Sequence, residues 1–283
     1  MRYQFSIDRP DTQGRGLALA FVALISLGVA GYMFAACGDR NPDQASAGEP
    51  VVSTPTPIPP PPPAETVTPT PTTASEFYTV GRTAWKGGDF ARAESAFVQA
   101  IALDSTHVRS RLYLGRVLIE SGRAGEGLQH IEAAVELDST SSEPLRLLGR
   151  AYEVLGRSDE AINAYKRAIV RNSKDVWALN NLGSLYIKVG RSEDALGPIA
   201  RAVELEKHVA IFHNNLGTAL EKTGHFTAAA EAYRGALAVE GTYGPAATNL
   251  ARVEQLKEDP AAQPVDLAAL AKTFVDQIPS WNQ

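Results

Sequence analysis

An all-α solenoid of helix pairs is the fold class that the 283-residue sequence predicts, and three observations predict it. A glycine returns at a fixed interval through most of the chain. Hydrophobic residues make up 44% and charged residues 21%, enough apolar surface for a folded core. Of the 18 prolines, eleven lie between residues 39 and 74, so the helix-breaking residue is concentrated outside the repeating part.

Three zones follow from that distribution. In residues 1–38, Arg2, Arg9 and Arg15 precede the uncharged 18-residue run LALAFVALISLGVAGYMF, from Leu17 to Phe34. Its length falls between a signal-peptide core and a membrane span, which takes about 20 residues. The arginines favour a cytoplasmic amino terminus. Residues 39–74 are rich in proline, threonine and serine and have almost nothing to bury. Such a segment is expected to be an extended spacer, with an upper reach of about 110 Å, rather than a ligand for aromatic-lined grooves. Residues 75–257 carry the repeats, and 258–283 form a tail.

The repeat is read from five columns. Gly81, Gly115, Gly149, Gly183 and Gly217 stand 34 residues apart, with Ala251 in the sixth slot. Seven residues further on come Gly88, Gly122, Gly156, Gly190 and Gly224. Then follow Ala93, Gly127, Ala161, Ala195 and Ala229; next Phe97, Ile131, Tyr165, Ile199 and Tyr233; and last Ala100, Ala134, Ala168, Ala202 and Ala236. Small residues fit where two antiparallel helices cross. A second glycine ends the first helix of each pair, where a left-handed conformation is cheap. The aromatic or isoleucine column is expected to fill the gap towards the next helix. Gly127, where the other repeats have alanine, marks repeat two as the least stable.

This pattern resembles the tetratricopeptide repeat. The resemblance covers repeats 74–107, 108–141, 142–175, 176–209 and 210–243 and a closing helix over 245–257. It implies a right-handed superhelix with a concave groove lined by the first helix of each pair. The family's usual proline near each repeat's end is replaced by Ser105, Ser139, Ser173, Lys207 and Gly241, and Asp104 and Asp138 are expected to turn the chain instead. Val265, Leu267, Leu270, Ala271, Phe274, Val275 and Ile278 share one helical face, predicting a short helix over 265–278. Its expected role is to cover the end of the solenoid; docking on a partner or a second copy is the alternative. The stretch Phe34-Ala35-Ala36-Cys37 resembles the bacterial lipoprotein cleavage box, in which the cysteine is diacylated and becomes the first mature residue. Phe34 stands where leucine is usual, and the leader carries Asp8 and Asp11. An uncleaved anchor or full secretion are the other outcomes.

In the repeat family, first-helix positions outside the core contact ligand. One such column reads Arg82, Arg116, Arg150, Ser184, Thr218 and Arg252, and neighbouring positions add Lys86, Arg109, Arg146, Lys188 and Lys222. Asn180, Asn181, Asn214, Asn215 and Asn249 form a second set, suited to a peptide backbone. Glu120, Glu143, Glu153 and Glu221 stand among the cations. The groove is thus predicted to be basic on a chain of formal charge −5. Either its cations hold an acidic segment or a C-terminal carboxylate, or they pair with the groove glutamates. Tyr78, Trp85, Tyr113 and Trp177 offer aromatic surface. On the first reading, reversing Arg116 and Arg150 to glutamate abolishes capture and leaves the fold intact.

No phosphate-cradling loop, nucleophile elbow or paired histidine at metal spacing is present. His107, His130, His208, His213 and His225 are scattered, and Cys37 is the one cysteine, so no metal or other cofactor is expected. The chain reads as a non-enzymatic interaction scaffold tethered to a bacterial envelope and facing the periplasm or exterior. Its fold-level likeness is to repeat lipoproteins that help assemble pilus secretins and other envelope machines. No nucleic-acid partner is expected. The rival readings are a self-assembling structural protein using the C-terminal helix, and an accessory to an envelope enzyme.

Overall fold

The computed structural model describes residues 70–261 and 263–282, and these are all-helical. Leu17–Phe34, Cys37 and residues 39–69 of the proline-rich spacer lie outside the described residues, and the spacer's expected end at 74 is one residue too far, since α1 begins at Ala74. Among the described residues no helix is long and apolar enough to cross a membrane.

Six first helices begin at a spacing of 34 residues: α1 (Ala74–Lys86), α3 (Val108–Glu120), α5 (Ser142–Val154), α7 (Val176–Lys188), α9 (Ala210–Lys222) and α11 (Gly244–Val253). Five second helices keep the same interval: α2 (Phe90–Leu103), α4 (Ala124–Leu137), α6 (Ser158–Arg171), α8 (Ser192–Leu205) and α10 (Phe226–Val239). Thr73 and Glu76 start α1 with a reciprocal capping box. Between the two helices of each pair the second glycine has φ between 75° and 87°, as its column predicts. At the end of α2 the Asp104 carboxylate accepts from the Thr106 amide at 2.9 Å, and at the end of α4 Asp138 accepts from Thr140 at 3.0 Å. These turns replace the missing proline.

The first-glycine column is explained by the residue 16 positions on. A Cβ at Gly81 would lie 2.6 Å from Phe97, at Gly115 2.5 Å from Ile131, and at Gly183 2.2 Å from Ile199. Gly149 and Gly217 are filled in the same way by Tyr165 and Tyr233. The large column therefore seats on the glycine of its own repeat, where the sequence reading sent it towards the next helix. Gly127 is also reinterpreted. A Cβ there would meet the Gly115 carbonyl oxygen at 2.6 Å, so α3 and α4 approach more closely than the other pairs' alanines allow. The glycine is a packing requirement and not a weak point.

Consecutive first helices pack against one another, whereas the backbones of consecutive second helices do not approach. That asymmetry curves the stack, with first helices on the concave side and second helices on the convex side. The closing helix α11 stops at Val253, short of the expected Lys257. The tail helix α12 (Leu267–Gln277) continues into a 3-10 turn, Ile278–Asn282. It does not cover the end of the solenoid. It turns back along the convex side, α12 packing on α8 and the terminal turn on α6.

Candidate functional site

The concave face is a ladder in which each repeat supplies partners to the next. Six of its contacts join residues 35 apart on successive first helices. Two of them are aromatic pairs: Tyr78–Tyr113 at 5.5 Å and Trp177–Phe212 at 5.1 Å between ring centroids. Trp85 Nε1 donates to Glu120 Oε2 at 2.8 Å, and Lys188 Nζ lies 3.5 Å from Glu153 Oε1. Asn215 Nδ2 donates to Asn180 Oδ1 at 2.9 Å, and Asn249 Nδ2 to Asn214 Oδ1 at 3.0 Å. The spacing follows from the geometry: one 34-residue repeat plus one residue brings side chains into register across the interface between neighbouring first helices.

The predicted basic residues divide into two groups. Arg116 is 3% exposed, its guanidinium lies 4.2 Å over the Trp85 ring, and its Nε contacts Glu120 at 3.2 Å. Arg146 is 8% exposed, 3.4 Å from Asp175, and its Nε is buried without a hydrogen bond. Arg252 forks onto Glu221 with bonds of 2.8 and 2.7 Å. Lys188 joins Glu153, and Arg150 is half-buried and engaged. For Arg116, Arg146, Lys188 and Arg252 the structure therefore shows pairing with acids. Arg116 in particular cannot be reversed to glutamate with the fold intact, because the new carboxylate would be buried beside Glu120. In the second group Arg82, Lys86, Arg109 and Lys222 are exposed and form no ion pair among the described residues.

The asparagines divide similarly. Asn180 and Asn214 are buried, at 3% and 8% exposure, and each accepts an amide proton from the next repeat. Asn181 and Asn215 are half-buried, and Asn215 gives one amide proton to Asn180. Part of the amide capacity expected for a peptide backbone is thus spent within the protein.

Two tyrosines reach this face from behind. Tyr165 Oη donates to Glu153 Oε2 at 3.1 Å, and Tyr233 Oη to Glu221 Oε2 at 2.8 Å. Glu153 and Glu221 are each held between a buried phenol and a cation of the next repeat. Burial foremost, together with the neighbouring carboxylate, raises both phenol pKa values, while the Arg252 hydrogen bonds lower that of Glu221. Sequence reasoning missed this relay, although a signal was present. Tyrosine occupies its column only in repeats three and five, the same repeats that place glutamate four residues after the first glycine.

The open end of the groove is built differently. Tyr78, Trp85 and Tyr113 are half-buried around Phe97, with Trp85 and Tyr113 centroids 5.5 Å apart in an edge-on arrangement. Burial, with Tyr78 and Glu143 nearby, pushes the Tyr113 pKa up to about 12, so the phenol stays neutral. Arg82, Lys86 and Arg109 lie on the same two first helices. Among the described residues, no three His, Cys, Asp or Glu side chains are grouped to hold a metal ion.

A curved stack of helix pairs with a side-chain ladder on its inner face defines the class of helical-repeat scaffolds. Tetratricopeptide-repeat models match residues 78–142 and 180–247, and a further TPR-repeat model matches 149–190. The chain belongs to the tetratricopeptide-repeat family, whose role is protein–protein interaction. Similar solved structures include the MamA protein, with 25% identity over 60% of this chain and 95% of that one, at a TM-score of 0.50. A thermophilic TPR protein of Thermus thermophilus shares 17% identity over 65% of this chain and 100% of its own, at 0.57. The pilF protein of Pseudomonas aeruginosa shares 15% identity over 73% and 90%, at 0.58. No curated protein sequence matches the chain.

Proposed function

We propose that the chain is a non-enzymatic scaffold that holds an extended, carboxylate-bearing segment of a partner protein against the open end of its groove. The observation that carries this reading is the grouping of Arg82, Lys86 and Arg109, exposed and without ion partners among the described residues, with the half-buried Tyr78, Trp85 and Tyr113 on α1 and α3. Arginine and lysine supply carboxylate recognition, and rigid aromatic rings supply contact area at low entropic cost. Asn181, Asn215, Arg150 and Lys222 extend the track into later repeats.

The scaffold would be tethered at a bacterial envelope, outside the inner membrane. Support comes from the apolar run Leu17–Phe34, the small residues before Cys37, and the spacer that follows. A role in assembling an envelope complex fits a groove on a long tether. Self-assembly through the C-terminal helix is less favoured, because that helix lays its apolar face on its own α8.

The test is cross-linked capture from envelope membranes with wild type and with the Arg82→Glu/Lys86→Glu/Arg109→Glu chain. Loss of a partner from the variant, at unchanged helicity, is expected. Equal recovery of every partner would remove the open end from the binding site. Fatty-acid labelling of wild type and Cys37→Ser tests the tether; label that persists in the variant would rule out lipidation at Cys37.

A further inference from the structure

We propose that residues 263–282 are a strap that fixes the curvature of repeats three to five from the convex side, and so sets the geometry of the concave groove there. The proposal does not depend on what the groove holds. Its first basis is the path of the chain. The convex side is where the backbones of consecutive second helices stand apart. Any flattening or tightening of the stack changes those separations most. First helices such as α7 and α9 also touch second helices of two repeats, but from the concave side; the strap bridges them from the convex side, with α12 on α8 and the 3-10 turn on α6.

The second basis is that α8 is built to receive it. At the register position of Gly197 the other second helices carry Ser95, Gln129, Asn163 and Glu231, all exposed. In α8 the position is glycine and buried, because a Cβ would meet Phe274 Cβ at 2.8 Å and the Leu270 carbonyl oxygen at 3.2 Å. Three residues on, exposed Glu132 and Arg234 of other repeats are replaced by the buried Ala200. A generic second helix offers a polar outer surface, whereas α8 offers a seat shaped for a helix backbone.

The chain leading into the strap and the strap's far end are both fastened. On the side of α10, the Glu258 carboxylate accepts from the Thr227 amide at 3.0 Å and from the Thr227 hydroxyl. This ties the incoming chain to the first turn of that helix. At the far end Trp281 packs on Phe274, with centroids 5.4 Å apart, and Lys166 of α6 sits 4.9 Å from the Trp281 ring. Ala271, Phe274 and Ile278 are the buried residues between these points. Residues 258–282 thus span three repeats. Fixing the outer separations fixes the inner ones, because each helix pair is a rigid packed unit.

The experiment uses the full chain with Cys37→Ser and two spin-label pairs at exposed positions. Ser139→Cys with Gly241→Cys spans repeats three to five, and Ser75→Cys with Ser139→Cys spans repeats one and two. Removing residues 263–283 is expected to broaden and shift the 139–241 distance distribution and leave the 75–139 distribution as it was. Gly197→Ala is the second variant. It favours helix α8 locally but blocks the seat, so the same selective broadening is expected with helicity retained. If the deletion costs helicity, the Gly197→Ala result decides. An unchanged 139–241 distribution in a folded variant would overturn the proposal, as would equal broadening of both pairs.

Discussion

Repeats one and two and repeats three to five are built from the same 34-residue unit and put it to different use. In the first two, the second-helix position that α8 gives to Leu196 is held by Glu94 in α2, and the repeats are joined on that side by the exposed ion pair of Glu94 with Arg123 at 2.8 Å. Repeat one and one face of α3 share a small separate cluster of Ala84, Ala93, Phe97, Leu114, Val117 and Leu118. The groove of these two repeats presents aromatic rings and, in Arg82, Lys86 and Arg109, exposed cations with no ion pair among the described residues. Repeats three to five share a larger continuous core that includes the strap residues Ala271, Phe274 and Ile278 and takes in Leu112, Ile119, Ala124, Ile131 and Ala134 of repeat two. Their groove spends most of its polar groups on internal ladders. A solenoid's stability is a sum of local terms, so one chain can hold a compliant, interactive end and a braced, self-satisfied end.

The largest expected effects test whether the two cores are separate. Phe97 and Phe212 are both fully buried, and truncating either to alanine is expected to cost about 3–5 kcal/mol. Hydrogen exchange distinguishes where the loss is felt. Phe97→Ala should raise exchange in α1 to α3 and spare α7 to α10. Phe212→Ala should raise it across repeats three to five. Uniform loss of protection in both variants would mean that the domain opens as a single unit and that the comparison is wrong. Arg116→Glu is expected to fall in the same range, about 3–5 kcal/mol, because it removes the cation over Trp85 and buries an anion beside Glu120. Arg82→Glu, on an exposed neighbour, should change the melting temperature little.

A middle-sized effect concerns Gly127, a glycine inside a second helix. In isolation, glycine to alanine in a helix gains about 1 kcal/mol. Gly127→Ala places a methyl 2.6 Å from a backbone oxygen that cannot move aside. It should lose stability by about 1–3 kcal/mol despite the propensity gain. A stabilised Gly127→Ala chain would restore the reading of repeat two as merely under-packed.

Much of this architecture was legible in the sequence because its columns are set by backbone geometry. A glycine under a ring, a glycine at positive φ and an alanine at a crossing recur whenever the unit recurs. The groove was less legible because its contacts run between repeats, at 34 residues plus one, and a column read down the repeats compares residues that do not touch. Arg82 and Arg116 share a column, yet one is exposed and the other is stacked over the Trp85 that repeat one supplies. The strap was half legible. Its amphipathic pattern predicted a helix. Its destination was written in Gly197 and Ala200, which differ from the exposed residues at the same positions in other repeats. The spacer and Cys37 remain readings of sequence alone.

The smallest expected effect concerns the relay at the closing helix. Glu221 carries a pKa below the ordinary 4.5, chiefly because Arg252 donates to it twice, with Tyr233 adding a third hydrogen bond. A carboxylate whose folded pKa is lowered contributes stability that is complete above its unfolded value and is lost as pH falls through the folded one. Acidification below the carboxylate range should therefore loosen α9 to α11, read as faster local exchange there than at neutral pH, an increase that Glu221→Gln should not show. Arg252 is half exposed, so the pair is worth about 0.2–1 kcal/mol and should weaken further in high salt. The braced end gains little from this contact if the strap and core already hold it, and that makes the result informative. A loss well above this range would mean that the tyrosine–glutamate–arginine relay carries the closing helix. A loss within it leaves the apolar contacts of Ala246 and Val253 as the main hold on α11.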